Sequence, residues 1–282
     1  MSGKVGDSGM EQEQGKGPSA ASSTPIGVFD SGMGGISVVR QLRRDMPDQD
    51  IIFFGDSANA PYGTRPISEV TDLSFAVADR LVKQGVKAIV IACNTATSAC
   101  APLLRRHYDI PIIGMEPALK VAIDRGQGKS QHVLVTATKL TLEGRKFAAL
   151  MDRERGNNII ETQPCPDLVT LVEADDLGDR ELVLSTIERY LRPFDLDTLD
   201  SIVLGCTHFV FYRRYFREIL PDHVAIIDGN QGTSRHVQEV LGYQGKSAER
   251  AAGKGTVILQ NSKMDPQTAA LMQALLTEDL PS

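Results

Sequence analysis

Ile89-Val90-Ile91-Ala92-Cys93-Asn94-Thr95 and Ile202-Val203-Leu204-Gly205-Cys206-Thr207-His208 read alike: a strand rich in β-branched residues, one small residue, a cysteine, then side chains that form hydrogen bonds. The cysteines stand 113 positions apart, about the span of one α/β lobe, so the match points to an internal repeat. Two related lobes facing each other would set two similar thiols across one cleft.

Outward from these strands, apolar runs at 26–29, 51–54, 88–92 and 111–114 alternate with helical patterns over 36–46, 68–84 and 98–107. The alternation then restarts, with strands at 132–135, 159–162, 201–205 and 225–228 and helices over 142–152, 180–191 and 212–220. A helix from about 233, a strand at 256–259 and a helix over 267–276 follow. Strands alternating with helices give βαβ units and parallel sheets. The expected fold is α/β, with two pseudo-symmetric lobes, each a mainly parallel sheet flanked by helices, and an active site in the cleft between them. Expected boundaries are 25–117 for the first lobe, 118–226 for the second, and 227–282 for a segment that returns to complete the first.

Residues 1–24 hold Val5 and two Met but no Leu, Ile or aromatic residue. Such a segment cannot bury enough surface to offset its ordering entropy and reads as a disordered tail. It lacks the apolar stretch of a secretory signal, and no apolar run spans a bilayer, so no membrane partner and a cytoplasmic location are expected. The net charge of −6 and the absence of Trp leave neither a basic footprint nor stacking platforms, so no nucleic-acid partner is expected. A homodimer is left open. Cys93, Cys100, Cys165 and Cys206 are too sparse for a disulfide scaffold and none has CxxC spacing, which points to reduced thiols and no metal. Cys100 and Cys165 read as small buried hydrophobes.

Ligands of open α/β sheets bind beyond the carboxyl ends of the strands. Asp30, Asp56, Cys93, Thr138 and Cys206 all fall at or just past such ends. Both Cys93 and Cys206 also stand near the starts of following helices, where free N–H groups favour a thiolate. Gly32-Met33-Gly34-Gly35 suggests an anion-binding turn; it is neither a GxGxxG fingerprint nor a Walker A loop. His208 is placed to share a proton with Cys206. A Cys/His hydrolase, with one nucleophile, would leave Cys93 without a task.

Six stretches, in this order and spacing, resemble the glutamate racemases of the aspartate/glutamate racemase superfamily: Val28-Phe29-Asp30-Ser31-Gly32-Met33-Gly34-Gly35, Gly55-Asp56, Pro61-Tyr62-Gly63, Ala92-Cys93-Asn94-Thr95-Ala96, Glu116-Pro117 and Gly205-Cys206-Thr207-His208. The resemblance runs from about Ile26 to Leu276. It implies cofactor-independent interconversion of L- and D-glutamate, supplying D-glutamate for peptidoglycan synthesis and thus cell-wall biogenesis and cell shape. It implies that Cys93 and Cys206 are the two bases, Cys93 acting on the D enantiomer and Cys206 on the L enantiomer. Asp30, His208 and Glu173 are implied as their acidic and imidazole neighbours. Ser31, Asn94, Thr95 and Thr207 are implied to hold the substrate amine and α-carboxylate. The Pro61-Tyr62-Gly63 backbone would receive the side-chain carboxylate, and Thr138 and Thr141 would contribute from the second lobe. The family usually follows Cys-Thr-His with Tyr-Pro and an apolar pair, where this chain has Phe209-Val210-Phe211-Tyr212.

The chemistry suits two thiols. Racemisation removes a weakly acidic Cα proton and returns one to the opposite face, so one base must act on each side. A thiol, with an ordinary pKa of about 8.5, is available in both forms near neutral pH. A racemase for aspartate or another amino acid, and a non-catalytic binding or regulatory member of the fold, are the alternatives. Removing residues 1–24 is expected to leave turnover and melting temperature nearly unchanged; a large drop in melting temperature would show that the segment docks onto the fold.

Overall fold

A computed structural model describes residues 24–243 and 255–277. The disorder expected of the N-terminal segment therefore falls, except for Thr24, outside the described residues. The strands are β1 (Ile26–Asp30), β2 (Ile51–Gly55), β3 (Ala88–Ile91), β4 (Ile112–Gly114), β5 (His132–Ala137), β6 (Ile159–Pro164), β7 (Ser201–Leu204), β8 (Ala225–Asp228) and β9 (Val257–Asn261). The helices are α1 (Ile36–Asp45), α2 (Ile67–Lys83), α3 (Asn94–His107), α4 (Leu119–Asp124), α5 (Lys139–Glu143), α6 (Arg145–Arg155), α7 (Asp167–Glu173), α8 (Arg180–Leu191), α9 (Arg213–Ile219), α10 (Asn230–Leu241) and α11 (Pro266–Thr277).

Two parallel sheets result, ordered β4-β3-β1-β2-β9 and β6-β5-β7-β8. Traced from the β2 side, the first four strands run β2-β1-β3-β4, and the second four run β6-β5-β7-β8. The two windings are the same, so Cys93 after β3 and Cys206 after β7 occupy equivalent places. In each lobe the chain reverses direction across the sheet between the first and third strands. That is the crevice where α/β sheets bind ligands. Asp30 and Cys93 flank it in one lobe, and Thr138 and Cys206 in the other.

Successive strand residues face opposite layers. Phe29, Ile52, Phe54, Ile89 and Ile91 bury one face of the first sheet beneath α2 and α3. Val28, Phe53 and Val90 bury the other, in a cluster that continues through α1 to Leu134, Ile202 and Leu204 of the second sheet. Val133, Val135, Val203 and Ile227 cover the outer face of that sheet with Leu119 and Phe147. One apolar core is thus continuous between the lobes. β9 pairs with β2 in parallel, from Ile51 opposite Val257 to Gly55 opposite Asn261, while α10 and α11 pack on α1.

Several bounds differ from the sequence reading: α3 starts at Asn94, four residues before the expected 98, and α10 at Asn230 instead of about 233. The expected helix 142–152 is two helices, because Gly144 is extended at φ −69°, ψ 140°. The expected helix 212–220 starts later: Thr207–Tyr212 forms a 3-10 helix and α9 begins at Arg213. The short helices α4 and α7 were not expected. β9 extends to Asn261, two residues past the expected end. Met272 on α11 is fully buried. Met272→Ala is expected to cost about 2–5 kcal/mol in urea unfolding, the range for emptying a packed methionine site. A loss below about 0.5 kcal/mol would place α11 outside the core.

Candidate active site

Cys93 and Cys206 are both buried, at 5% and 8% exposure. Each follows the third strand of its lobe, Cys93 after β3 and Cys206 after β7. Their surroundings differ. Cys93 caps α3, accepting the Ala96 N–H at 3.4 Å, and its Sγ lies 3.7 Å from the Ser31 hydroxyl. Burial and the adjacent Asp30 carboxylate nevertheless push this thiol well above its ordinary value, outweighing those two contacts. The expectation that the helix start would favour a thiolate at Cys93 is therefore corrected: desolvation and a like charge win over the helix N–H. A thiolate formed there would be correspondingly basic.

Cys206 has no helix N–H on its sulfur; its short 3-10 helix begins without a side-chain cap. Its partner is His208, whose Nδ1 lies 3.7 Å from Sγ. The other imidazole nitrogen, Nε2, faces Glu173 Oε1 at 2.7 Å. The Gly34 N–H is 3.3 Å from the same nitrogen; when Nε2 donates its proton to the carboxylate it cannot also accept. Burial alone would lower the imidazole, but hydrogen bonds with Cys206 and Glu173 hold it well above its usual value. Burial likewise pushes Glu173 upward, yet His208, the Met33 N–H and Ser57 together hold it below the usual carboxylate range. The imidazole beside Cys206 is thus held toward its protonated form, and Cys93 toward its thiol form.

The glycine turn is used differently from the sequence expectation. Its Met33 N–H donates to Glu173 Oε1 at 2.6 Å, so the anion it holds is an internal carboxylate. A Cβ at Gly32 would run into that carboxylate, and one at Gly34 would sit 2.7 Å from the His208 backbone nitrogen. Close approach between lobes, not a left-handed backbone, requires these glycines. Asp30, fully buried, accepts the Ser31 N–H at 2.7 Å and the Thr207 hydroxyl at 3.0 Å, a second tie between lobes.

Thr95, Thr138 and Thr141 form one buried hydroxyl cluster, with Thr138 Oγ1 2.9 Å from each of the other two. Asn94 beside them is 5% exposed, and its Oδ1 is buried with no hydrogen-bond partner among the described residues. Such an acceptor suits an ammonium group. The Tyr62 ring is buried and its hydroxyl donates to Asp56 at 2.6 Å, which leaves the backbone of the Pro61-Tyr62-Gly63 turn to face the cleft. Gly63 packs there against Thr138, where a Cβ would approach its Cβ to 2.7 Å. Direct contacts thus join Asp30, Ser31, Cys93 and Thr207, join Cys206, His208 and Glu173, and join Thr95, Thr138, Thr141 and Gly63.

Cys100 and Cys165 lie apart as buried thiols, Cys100 pushed up to about 11 by burial and Cys165 higher still. Phe209, Phe211 and Tyr212 are buried, and the Tyr212 hydroxyl donates to Leu168 on α7 at 2.8 Å. Where the family usually has Tyr-Pro, aromatic packing fixes this loop. The sequence reading missed the Ser57 hydroxyl, which donates to Glu173 Oε2 at 2.7 Å. Ser57's place just past the end of β2 was the available signal. Among the described residues no group of three or more His, Cys, Asp or Glu could hold a metal ion, and no helix is long and apolar enough to cross a membrane.

The sign of the Glu173 effect is fixed by these shifts. Its charge raises the imidazole, so Glu173→Gln is expected to lower the pH at which the Cys206–His208 pair gives up its proton. The high-pH limb of the rate should move to lower pH in the direction where Cys206 donates. A limb that stays in place would remove Glu173 from proton handling.

The sequence profile of the Asp/Glu/Hydantoin racemase family matches residues 36–237. A glutamate racemase from Bifidobacterium adolescentis is 59% identical over 256 residues, covering 91% of this chain and 99% of that protein. Another, from Halothermothrix orenii, is 41% identical over 237 residues, covering 84% and 92%. Among solved structures, glutamate racemase from Escherichia coli, in complex with L-glutamate and the activator UDP-MurNAc-ala, superposes with a TM-score of 0.77 at 28% identity, covering 90% of this chain and 94% of that one. The Thermus thermophilus enzyme, in complex with β-chloro-D-alanine, superposes at 0.72 with 32% identity, covering 92% and 95%. With matching sequence and fold, this chain belongs to the Asp/Glu/Hydantoin racemase family, on the branch of its glutamate racemases.

Proposed function

We propose that this chain interconverts L- and D-glutamate, without a cofactor, by deprotonating Cα with one thiolate and reprotonating it with the opposed thiol. The observation that carries this reading is the pair of buried thiols at equivalent strand ends of the two lobes. The thiolate takes the Cα proton and becomes a thiol. The electron pair left on carbon is delocalised into the α-carboxylate, which the Thr95, Thr138 and Thr141 hydroxyls and nearby N–H groups would stabilise. The thiol on the other face then gives its proton to Cα and becomes the thiolate. Asn94 Oδ1 and the Asp30–Ser31 corner would hold the ammonium, and the Pro61-Tyr62-Gly63 backbone the distal carboxylate. His208 and Glu173 assist at Cys206.

Glutamate is favoured over aspartate by the relatives on both sides of the comparison, which bear the name glutamate racemase at up to 59% identity. The proposal extends to a cytoplasmic enzyme whose D-glutamate feeds peptidoglycan synthesis. We further propose that 25–117 with 227–282 form one lobe and 118–226 the other. Both thiols come from one chain, so the cleft does not require a homodimer.

Incubating the protein with L-glutamate and L-aspartate and resolving the products by chiral chromatography tests the substrate. Faster turnover of aspartate would contradict the proposal. Cys93→Ala and Cys206→Ala are each expected to abolish racemisation. In heavy water the surviving thiol should still exchange the Cα hydrogen of one enantiomer: L-glutamate when Cys206 remains, D-glutamate when Cys93 remains. Racemisation surviving either change would sink the mechanism.

A further inference from the structure

We propose that Ser57 and Asn261 are positioning residues for the Cys206 half of the reaction, acting through Glu173. Three observations carry this. Ser57 Oγ donates to Glu173 Oε2 at 2.7 Å. Asn261 Nδ2 donates to the same Ser57 oxygen at 2.9 Å. Asn261 Oδ1 is itself fixed by the Lys263 N–H at 2.8 Å. The last contact sets the orientation of the amide, because a backbone N–H can only donate and therefore faces the amide oxygen. The amide then turns its N–H groups toward Ser57. With that lone pair of Ser57 engaged, the serine proton is directed at Glu173. The chain of donors runs one way: Asn261 to Ser57, Ser57 to Glu173, and His208 to the other carboxylate oxygen.

Asn261 is 7% exposed and is the last residue of β9, opposite Gly55. A Cβ at Gly55 would approach Asn261 Nδ2 to 2.9 Å, so the amide is seated against the turn that presents Ser57. The carboxylate accepts from Met33 and His208 on Oε1 and from Ser57 on Oε2. Loss of the Ser57 donor frees Oε2, so the carboxylate is no longer held in the orientation that presents Oε1 to the imidazole, and the Glu173–His208 hydrogen bond loosens. The C-terminal segment thereby reaches Cys206 through four side chains, without touching substrate.

The inference rests on the two-thiol reading and has its own test. Ser57→Ala and Asn261→Ala are made in the full chain, with Ser57→Thr as the variant that keeps the hydroxyl. Melting curves verify folding. For both Ala variants kcat is expected to fall about 3- to 30-fold, below the full worth of one charge-assisted hydrogen bond because neither side chain touches substrate, with KM changed less than about twofold. The high-pH limb should move to lower pH, and heavy-water exchange should fall more for the enantiomer served by Cys206 than for the other. Ser57→Thr is expected to restore the limb. Asn261→Asp replaces the donor with an acceptor that draws the serine proton away from Glu173, so it should harm turnover at least as much as Asn261→Ala despite equal size. An unmoved pH profile, or equal loss on both enantiomers in the folded variants, would overturn the proposal. Racemisation by Cys93→Ala or Cys206→Ala would instead overturn the reading beneath it.

Discussion

Glu173 presents one buried carboxylate to donors from both lobes, and the cleft depends on that arrangement. The Met33 N–H and the Ser57 hydroxyl reach it from the first lobe, and His208 from the second. An unpaired carboxylate in this place would be costly, and so would an unpaired imidazolium; each makes the other tolerable. The linkage has a definite pH window. Glu173 is held below its ordinary range, so its contribution to stability is present above that range and is lost as pH falls through the lowered value. His208 is held above its ordinary value, so its contribution is complete below about 6.5 and is lost as pH rises through the raised value. The clasp is strongest between these limits, where a thiol pair also works.

Duplication explains why two chemically similar thiols face each other, and their neighbours explain why they are not equivalent. The same strand order in both lobes puts each cysteine beside the crevice of its sheet. Yet the residue that follows the first strand of each lobe differs. In the first lobe β1 ends on Asp30, whose charge keeps Cys93 protonated; in the second β5 is followed by Thr138, which carries no charge. The imidazole that accompanies Cys206 has no counterpart at Cys93, where Thr95 stands two residues after the cysteine. A two-base reaction needs one acid and one base at the outset, and Asp30 beside Cys93 and His208 beside Cys206 make the two faces unlike.

Much of this was legible in the sequence because the informative residues lie close together along the chain. A strand, a small residue and a cysteine fit within seven positions, and the repeat of that pattern pointed to two related parallel sheets. The residues around the cysteines followed from the same stretches and from family resemblance. What escaped was tertiary or local in a different way. Gly144 breaks a helix that hydrophobic spacing alone carries through. Helix α7 was readable from Pro166-Asp167 followed by Leu168, Val169, Leu171 and Val172, an apolar face opened by a helix-starting pair, but it is only seven residues long. Asn261 lies 204 positions from Ser57, and no pattern within one strand announces a hydrogen bond at that distance. The anion expected at Gly32-Met33-Gly34-Gly35 was likewise one the protein itself provides, from a helix 140 positions away.

The central claim is that the proton removed from Cα and the proton delivered to it belong to different groups on opposite faces. The most direct measurement is the isotopic content of substrate and product when protiated L-glutamate is racemised in heavy water and stopped after a few per cent conversion. The account predicts that newly formed D-glutamate carries deuterium at Cα from the first turnovers while the remaining L-glutamate is still protiated. D-glutamate that retains the original hydrogen would mean that a single base carries one proton across both faces, and would contradict the account.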